Sequence, residues 1–294
     1  MAVDDQIPIR SVHRLLRVGG EAVEVLRASF DARPFSRHYH ETPTIGLVRS
    51  GANRFRYGRH FATAERGELC LVDPGEVHDG GHAGAAWAYD CVFPSAALMR
   101  RLSRLSDIED YPWFASPSMA GALAPHLDRF FRQLFGPAPE PELCEELLVS
   151  GLLSLIAHAR ARAKPHLCDS PVARLAVEFI EDNVRKPVLL GDIAEAVGAN
   201  RFTIIRAVAK QTGLTPRQLI LQRRVDRARE ALLAGSSIAE TAYAWGFADQ
   251  AHLSRELKRR WGVSPGVFAR SARKPVLRAL IGLGSDAAPI RQGG

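Results

Sequence analysis

Two histidine clusters and two short helical stretches hold the side chains of this chain that could do chemistry. The first group is His38-Tyr39-His40 together with Asp73-Pro74-Gly75-Glu76-Val77-His78. On an extended segment His38 and His40 face the same way. With His78 they could border an organic ligand pocket, share a divalent ion, or hydrogen-bond as structural groups. Glu41 faces the opposite way, and the next carboxylate along the chain is Glu65.

The second group consists of polar side chains long enough to reach base edges. In 236–265, SSIAETAYAWGFADQAHLSRELKRRWGVSP, Ile238, Ala242 and Trp245 recur at helical spacing and Gly246-Phe247 breaks the run. Leu253 and Leu257 then stand four apart on a helix whose other face carries Gln250, His252, Arg255 and Lys258. A short buried helix, a glycine turn and a polar helix make a helix-turn-helix, whose second helix enters a major groove. The pattern recurs upstream. Aligning Gly213-Leu214-Thr215-Pro216 on Gly262-Val263-Ser264-Pro265 puts Ile204 on Leu253, Arg206 on Arg255 and Val208 on Leu257. A one-residue slip in the turn then matches Ala194 and Gly198 to Ala242 and Gly246. Two such units would set two reading helices about 34 Å apart, one duplex turn.

In the first unit Asn200 is the natural N-cap, so the residues after it lie at the end that enters the groove. Ile204 and Val208 turn inward and leave Arg201, Phe202, Ile205 and Arg206 outward or flanking. Arg201 suits guanine O6 and N7, and Phe202 or Ile205 a thymine methyl. In the second unit Asp249 takes the capping place, with His252 and Gln250, which suits adenine, facing the bases. Arg206 and Arg255 are equivalent positions, for backbone contact or for bracing the unit. Lys258, Arg259 and Arg260 are expected at phosphates. Thr215-Pro216 and Ser264-Pro265 each open a helix, with a hydroxyl cap and proline in the first turn. Charge follows the same division: residues 171–275 hold 18 Lys and Arg against 10 Asp and Glu, and residues 1–170 hold 19 against 21. The basic excess lies where phosphate neutralisation requires it.

Residues 171–270 resemble the DNA-binding domain of the AraC/XylS family of bacterial transcription regulators. The resemblance is carried by Ile238-Ala239, the Gly246-Phe247-x-Asp249 turn, Ser254-Arg255 with Lys258, and Gly262-x-Ser264-Pro265 with Phe268. Thr215-Pro216, Arg224-Val225 and Ala228 add to it in the connecting helix. The chain departs from the family's pattern at Ala251, where serine is common, and at Leu253 and Leu257, where phenylalanine is common; the helix and its apolar face survive these changes. An HxH followed some thirty residues later by PGxxH also resembles the cupin barrel, in particular the effector-binding domain that such regulators carry at the N-terminus. In metal-binding cupins the HxH pair, a glutamate a few residues on and the later histidine surround one divalent ion. Here that glutamate is missing, so no metal and no cofactor are expected, and His38, Tyr39, His40 and His78 are assigned to effector binding. A barrel interior bordered by Tyr39, His40, Arg49, Arg54 and His78 points to an anionic or polar effector.

The elements that must position these residues give an α+β, two-domain chain: an N-terminal cupin-like β-barrel with flanking helices, then an all-α domain of two helix-turn-helix units. Between Val23 and about Phe93, short runs such as EVLRASF, TIGLVRSG, NRFRYGRHF and GELCLVDPG are strand-like. Helices are expected over 95–106, 118–135 and 142–163, the last with an apolar stripe wide enough to leave a face for a second copy. Residues 1–20 fit a mobile arm or a first strand. The expected division is 1–163 for effector binding and dimerisation, 164–171 as linker, 172–274 for DNA binding, and 275–294 as a tail of disordered composition.

Other function classes find little support. There is no run of 18 apolar residues to span a membrane and no signal-peptide pattern. The four cysteines lack CxxC spacing, which fits a reduced cytoplasm. No Gly-rich phosphate loop and no paired nucleophile and base suggest an enzyme. The expected partners are double-stranded DNA, a small organic effector, a second copy of the chain and RNA polymerase. Two competing readings are a cupin-type metal-dependent enzyme joined to a DNA-binding module, and a constitutive DNA-bound activator without an effector.

Overall fold

The computed structural model describes residues 11–30, 34–58, 60–81, 85–106, 123–158, 170–273 and 277–278, with 108, 111, 112, 114 and 116–119 between them. Period-two alternation and Gly/Pro punctuation build seven strands first: β1 (Val12–Val18), β2 (Glu21–Phe30), β3 (Thr44–Ser50), β4 (Ala52–Tyr57), β5 (His60–Glu65), β6 (Leu69–Val72) and β7 (Trp87–Pro94). Then come α1 (Ala96–Leu105), β8 (Ser118–Met119), α2 (Ala124–Leu134) and α3 (Pro141–His158). The C-terminal part is helical: α4 (Pro171–Asn183), α5 (Leu190–Val197), α6 (Arg201–Thr212), α7 (Pro216–Leu233), α8 (Ile238–Ala244), α9 (Gln250–Trp261) and α10 (Pro265–Ala272), followed by β9 (Leu277–Arg278). The larger sheet runs β8-β6-β3-β7-β2-β1-β9, and β4-β5 form a separate hairpin.

Three local expectations change, and the choice left open for residues 1–20 falls on a strand for those described. Residues 118–119 are a strand on β6 rather than the start of a helix, and α2 opens at Ala124, where a proline presets the first turn. Of residues 1–20, those from Val12 form a strand antiparallel to β2; residues 1–10 lie outside the described residues. The linker expected over 164–171 lies outside them as far as 169, and its last residues open α4, with the Ser170 hydroxyl accepting from the Ala173 amide and Pro171 in the first turn. Within the expected tail, Leu277 and Arg278 pair in parallel with Leu16 and Arg17, and 279–294 lie outside the description.

The alternation in β2 decides how the two parts meet. Val23 and Val25 face one core with Leu98, Leu127, Phe131, Leu148 and Leu152 from α1, α2 and α3. Leu26, Ala28 and Phe30 face the other way and, with Trp87, Tyr89, Cys91 and Phe93 of β7, form one core with Val225, Leu253, Leu257, Trp261 and Phe268. The helical C-terminal half therefore covers the second face of the sheet. A third core joins Tyr39 and Val77 to Ile193, Ile204, Val208 and Leu219 around the first unit. On the sheet's helical side the fully buried Asp90 accepts from Arg27 Nε at 2.6 Å and Arg49 Nε at 2.5 Å. Arg49 also pairs with Asp128, which fixes α2 over the strands.

Polar groups cross between the two parts. Arg229 of α7 pairs with Glu24 of β2, whose carboxylate also accepts from His13 Nε2 at 3.0 Å, while His13 Nδ1 meets the Ser271 hydroxyl at 2.9 Å. Gln222 donates to the Tyr39 carbonyl at 3.1 Å. Arg223 pairs with Glu41 and Glu181, and the Ser36 amide donates to the Arg259 carbonyl at 2.8 Å. Burial alone would raise the Glu24 carboxyl, but Arg229 and His13 outweigh it and hold it near 2.

A depressed carboxyl stabilises the fold fully above its unfolded value and ceases to do so as pH falls through its folded value. The Glu24 contribution should therefore fade between about pH 4.5 and pH 2. Urea unfolding of wild type and Glu24→Gln at pH 6 and pH 3 checks this, and the gap between the two proteins should narrow at the lower pH. A second expectation concerns close packing. At Gly262 (φ +68°) an added Cβ would stand 2.1 Å from Phe30 Cε1, whereas at Gly198 (φ +66°) it would meet nothing within 4 Å. Gly198→Ala should cost about 1–2 kcal/mol from the left-handed backbone alone. Gly262→Ala should cost about 1–3 kcal/mol more through overpacking, read as the difference between their unfolding midpoints.

Candidate nucleic-acid interface and histidine pocket

The two helix-turn-helix units repeat closely. Reading helices α6 and α9 are each 12 residues long and end at left-handed glycines, Gly213 and Gly262, before Pro216 and Pro265 open the next helices. Asn200 accepts from the Thr203 amide at 2.9 Å and its hydroxyl at 3.1 Å, and Asp249 accepts from the His252 amide at 2.6 Å. Both caps therefore satisfy amide groups their helices would leave open. Gly246 (φ +71°) makes the turn of the second unit. Thr215 and Gln218 cap α7 reciprocally, but the Ser264 hydroxyl makes no capping bond; the Val267 amide donates to the Ser264 carbonyl instead.

Ile204, Val208, Leu253 and Leu257 are fully buried. The outward set is exposed as the spacing required: Asn200, Arg201, Phe202, Arg206, Gln250, Arg255 and Lys258 face solvent, and Ile205 and His252 are half-buried. Phe202 is 80% exposed, so its ring contributes to no core and is free to meet a groove. His252 Nδ1 accepts from the Ala248 amide at 3.3 Å, and its ring stands edge-on to Phe247 at 5.3 Å. A neutral ring so held keeps its proton on Nε2, a donor pointing away from the turn.

One expected phosphate contact moves to the other side of the protein. Arg260 is buried, donates to Glu256 Oε2 at 2.6 Å and lines the histidine pocket with Trp261. Stepping three and four residues on from Leu257 reaches Arg260 and Trp261, so the helical period already put both on the inner face. Two further residues have roles that the sequence did not assign. Arg224 donates to the carbonyls of Val184 (2.9 Å), Lys186 (2.6 Å) and Gly246 (3.1 Å), tying the approach to the first unit to the turn of the second. Tyr243 of α8 is 89% exposed beside the second reading helix.

The histidine residues come together as a cluster. His38 and His78 exchange backbone hydrogen bonds, His38 N to His78 O at 2.9 Å and His78 N to His38 O at 2.8 Å. Ring centroids lie 4.4 Å apart for His38 and His78, 4.9 Å for His38 and His40, and 5.1 Å for His40 and His78. Burial, and for His38 and His40 the neighbouring rings, hold all three below the usual histidine range and therefore neutral. The cavity beside them is about 40 Å³, bordered also by Asn53, Asp79, Trp87, Arg260 and Trp261. Tyr39 does not join them. Its neighbours in the strand-like segment point one way and it points the other, into the core of the first unit with the Arg223 guanidinium over its ring at 5.4 Å. Arg49 is likewise engaged on the far side of the sheet, and Arg54 lies over Phe61. Glu41 faces outward to Arg223.

Comparison with known proteins agrees with both halves. Residues 22–156 match the AraC-like ligand binding domain family, and residues 193–271 match a helix-turn-helix domain family. The chain is 22% identical over 237 residues to the HTH-type transcriptional regulator YbfI of Bacillus subtilis, covering 79% of this chain and 86% of that one. It is 23% identical to the HTH-type transcriptional activator RhaS of Salmonella over 255 residues, 84% and 91% of the two chains. Among solved structures, apo ToxT K231A of Vibrio cholerae superposes with a TM-score of 0.52 at 11% identity over 84% of this chain and 97% of that one, a likeness of fold. ToxT bound to (E)-4-(8-methylnaphthalen-1-yl)but-3-enoic acid gives 0.50 at 12% identity, covering 90% and 98%. No helix among the described residues is long and apolar enough to cross a membrane. The chain belongs to the AraC family of DNA-binding transcription regulators, with a ligand-binding domain preceding a helix-turn-helix domain.

Proposed function

We propose that this regulator reads a bipartite DNA site with α6 and α9, and that the state of the pocket beneath Trp261 sets how well it does so. The observation that supports this reading is the double use of α9: its outer face carries Gln250, Arg255 and Lys258, and its inner face carries Arg260 and Trp261 into the pocket wall. In the first helix Arg201, Phe202, Ile205 and Arg206 form the reading face, with Asn200 as its cap. In the second, Gln250 and His252 address bases, and Arg255 and Lys258 serve the backbone. The part of the chain through α3 binds the effector and pairs with a second copy, the part from α4 onward binds DNA in the cytoplasm, and an activator of this kind would touch RNA polymerase. The reaction class is binding, with no catalytic step assigned to any residue.

A small organic effector is the reading that the ToxT complex favours, since that protein was solved with a small carboxylic acid. An organic ligand ordinarily needs roughly 300–1,000 Å³, far more than the 40 Å³ available here. Such a ligand would have to displace Trp261 or its neighbours, which would make effector entry and movement of α9 one event.

Selection of bound sites from random duplex DNA, at one stated salt, tests the reading. Full-length protein should recover two half-sites. Arg201→Ala and Gln250→Ala should each relax preference in a different half, by about 1–3 kcal/mol at the position read. Loss of preference in the same half for both variants would sink the two-unit reading.

A further inference from the structure

We infer that His38, His40 and His78 form a three-histidine site for a divalent transition-metal ion, and that the ion is felt by the second reading helix through Trp261. Among the described residues, this is the group whose ligand atoms approach closely enough: one nitrogen from each ring lies within 4.8 Å of the others, and all three side chains are buried. His38 Nδ1 is 2.7 Å from the Ser36 carbonyl and His78 Nδ1 is 3.0 Å from the Glu76 carbonyl. A carbonyl only accepts, so each Nδ1 carries the proton and each Nε2 presents its lone pair. This is the outer-shell arrangement that orients metal-binding histidines. The reciprocal backbone bonds between His38 and His78 hold two of the ligands in place before any ion arrives. His40 Nδ1 is buried without a hydrogen-bond partner, a deficit a native interior seldom tolerates unless something absent satisfies it.

Size and charge favour an ion over an organic molecule in this small pocket. About 40 Å³ accommodates an ion and one or two waters. Three imidazoles suit zinc, iron, nickel or copper, and a three-ligand set leaves a coordination position open. Two guanidiniums approach the cluster, but each is neutralised by its own carboxylate, Arg260 by Glu256 and Arg229 by Glu24. Asp79 on the pocket wall supplies negative potential for the ion. Glu41, turned out to Arg223, is no part of the set.

The coupling follows from His40. Its ring is 4.4 Å from Trp261 and 5.5 Å from Phe93, so the same imidazole would bind the ion and support the tryptophan. An ion that fixes the His40 ring fixes the surface on which the C-terminal turn of α9 rests. This coupling deepens the proposed function, because it rests on the reading that the pocket is where sensing occurs; metal binding itself does not.

The test uses full-length protein stripped by a chelator and titrated with Co²⁺ and Zn²⁺. One equivalent of Co²⁺ should give protein-dependent visible absorption bands, and Zn²⁺ should displace it. His40→Gln and His78→Gln should weaken binding by about 100-fold or more, since loss of even an outer-shell partner costs about 10–100-fold. Near-UV circular dichroism separates loss of the site from loss of the fold. Trp261→Phe should keep the metal, and Zn²⁺ should shift the affinity of wild type for its selected DNA site at least fivefold but that of Trp261→Phe much less. Absence of cobalt bands, or equal metal binding by wild type and folded His→Gln variants, overturns the metal site; if an organic compound then shifts DNA affinity, the proposed function stands without it. Stoichiometric metal with unchanged DNA affinity overturns the coupling, and the proposed function then stands or falls on whether an organic compound shifts that affinity.

Discussion

Trp261 sits in the one core that the sheet and the C-terminal helices build together, and the placement of the two halves depends on it. Its ring packs on His40 at 4.4 Å, Phe93 at 5.3 Å and Phe268 at 5.8 Å, with the Arg229 guanidinium 4.6 Å from its centroid. Each such aromatic contact is worth about 0.5–1.5 kcal/mol beyond area burial, so the set is comparable to the free energies that separate regulatory states. Trp261 ends a helix of 12 residues whose first turn holds Gln250 and His252. A helix of that length is about 18 Å long and moves as a rod. On the proposed function, a change beneath Trp261 would arrive at the bases as a change in the pose of the helix.

The ion pairs around this core determine where it docks more than how tightly. Glu24, Arg229 and His13 form such a group across the two halves at the edge of the shared apolar cluster, whereas Glu256 with Arg260 pairs within α9. Removing charges from water offsets most of what their attraction gains, whereas leaving one member unpaired is costly. A register in which Arg229 missed Glu24 would strand a buried charge. The apolar surface supplies attraction and the carboxylates reject wrong alignments.

What the sequence made legible was local. The two reading helices, their caps and their glycine turns are set by residues within four positions of one another, so spacing found them. His38 and His40 could be oriented by period two, which equally turned Tyr39 away from them; grouping all three as one site ignored that alternation. The arrival of His78 depends on a strand pairing across forty residues, and no local pattern reports such a pairing. Arg260 was placed at phosphate because of its charge, although counting from Leu257 put it inward. The interface between the halves left one trace. Strand β7, WAYDCVFP, is buried at every position, and a strand apolar on both faces implies a cover on each; nothing local says that the second cover is the DNA-binding domain.

That cover touches the barrel side at matching points of the internal repeat. Gly213, ending the first reading helix, abuts Val77, and Gly262, ending the second, abuts Phe30 and Phe35, each closely enough that an added Cβ would collide. Val77 is the neighbour of His78 in sequence, while Phe35 borders the same pocket. The end of α9 thus rests on a wall of the small cavity and the end of α6 on the residue beside His78, within the core of the first unit, and Arg224 ties the units to each other through three carbonyls. A helix pair held in this way has two independent constraints on its spacing, one internal and one supplied by the barrel. Weakening the internal tie at Arg224 would leave the spacing to the barrel alone, so the protein's choice between half-site separations would then depend more strongly on the state of the pocket.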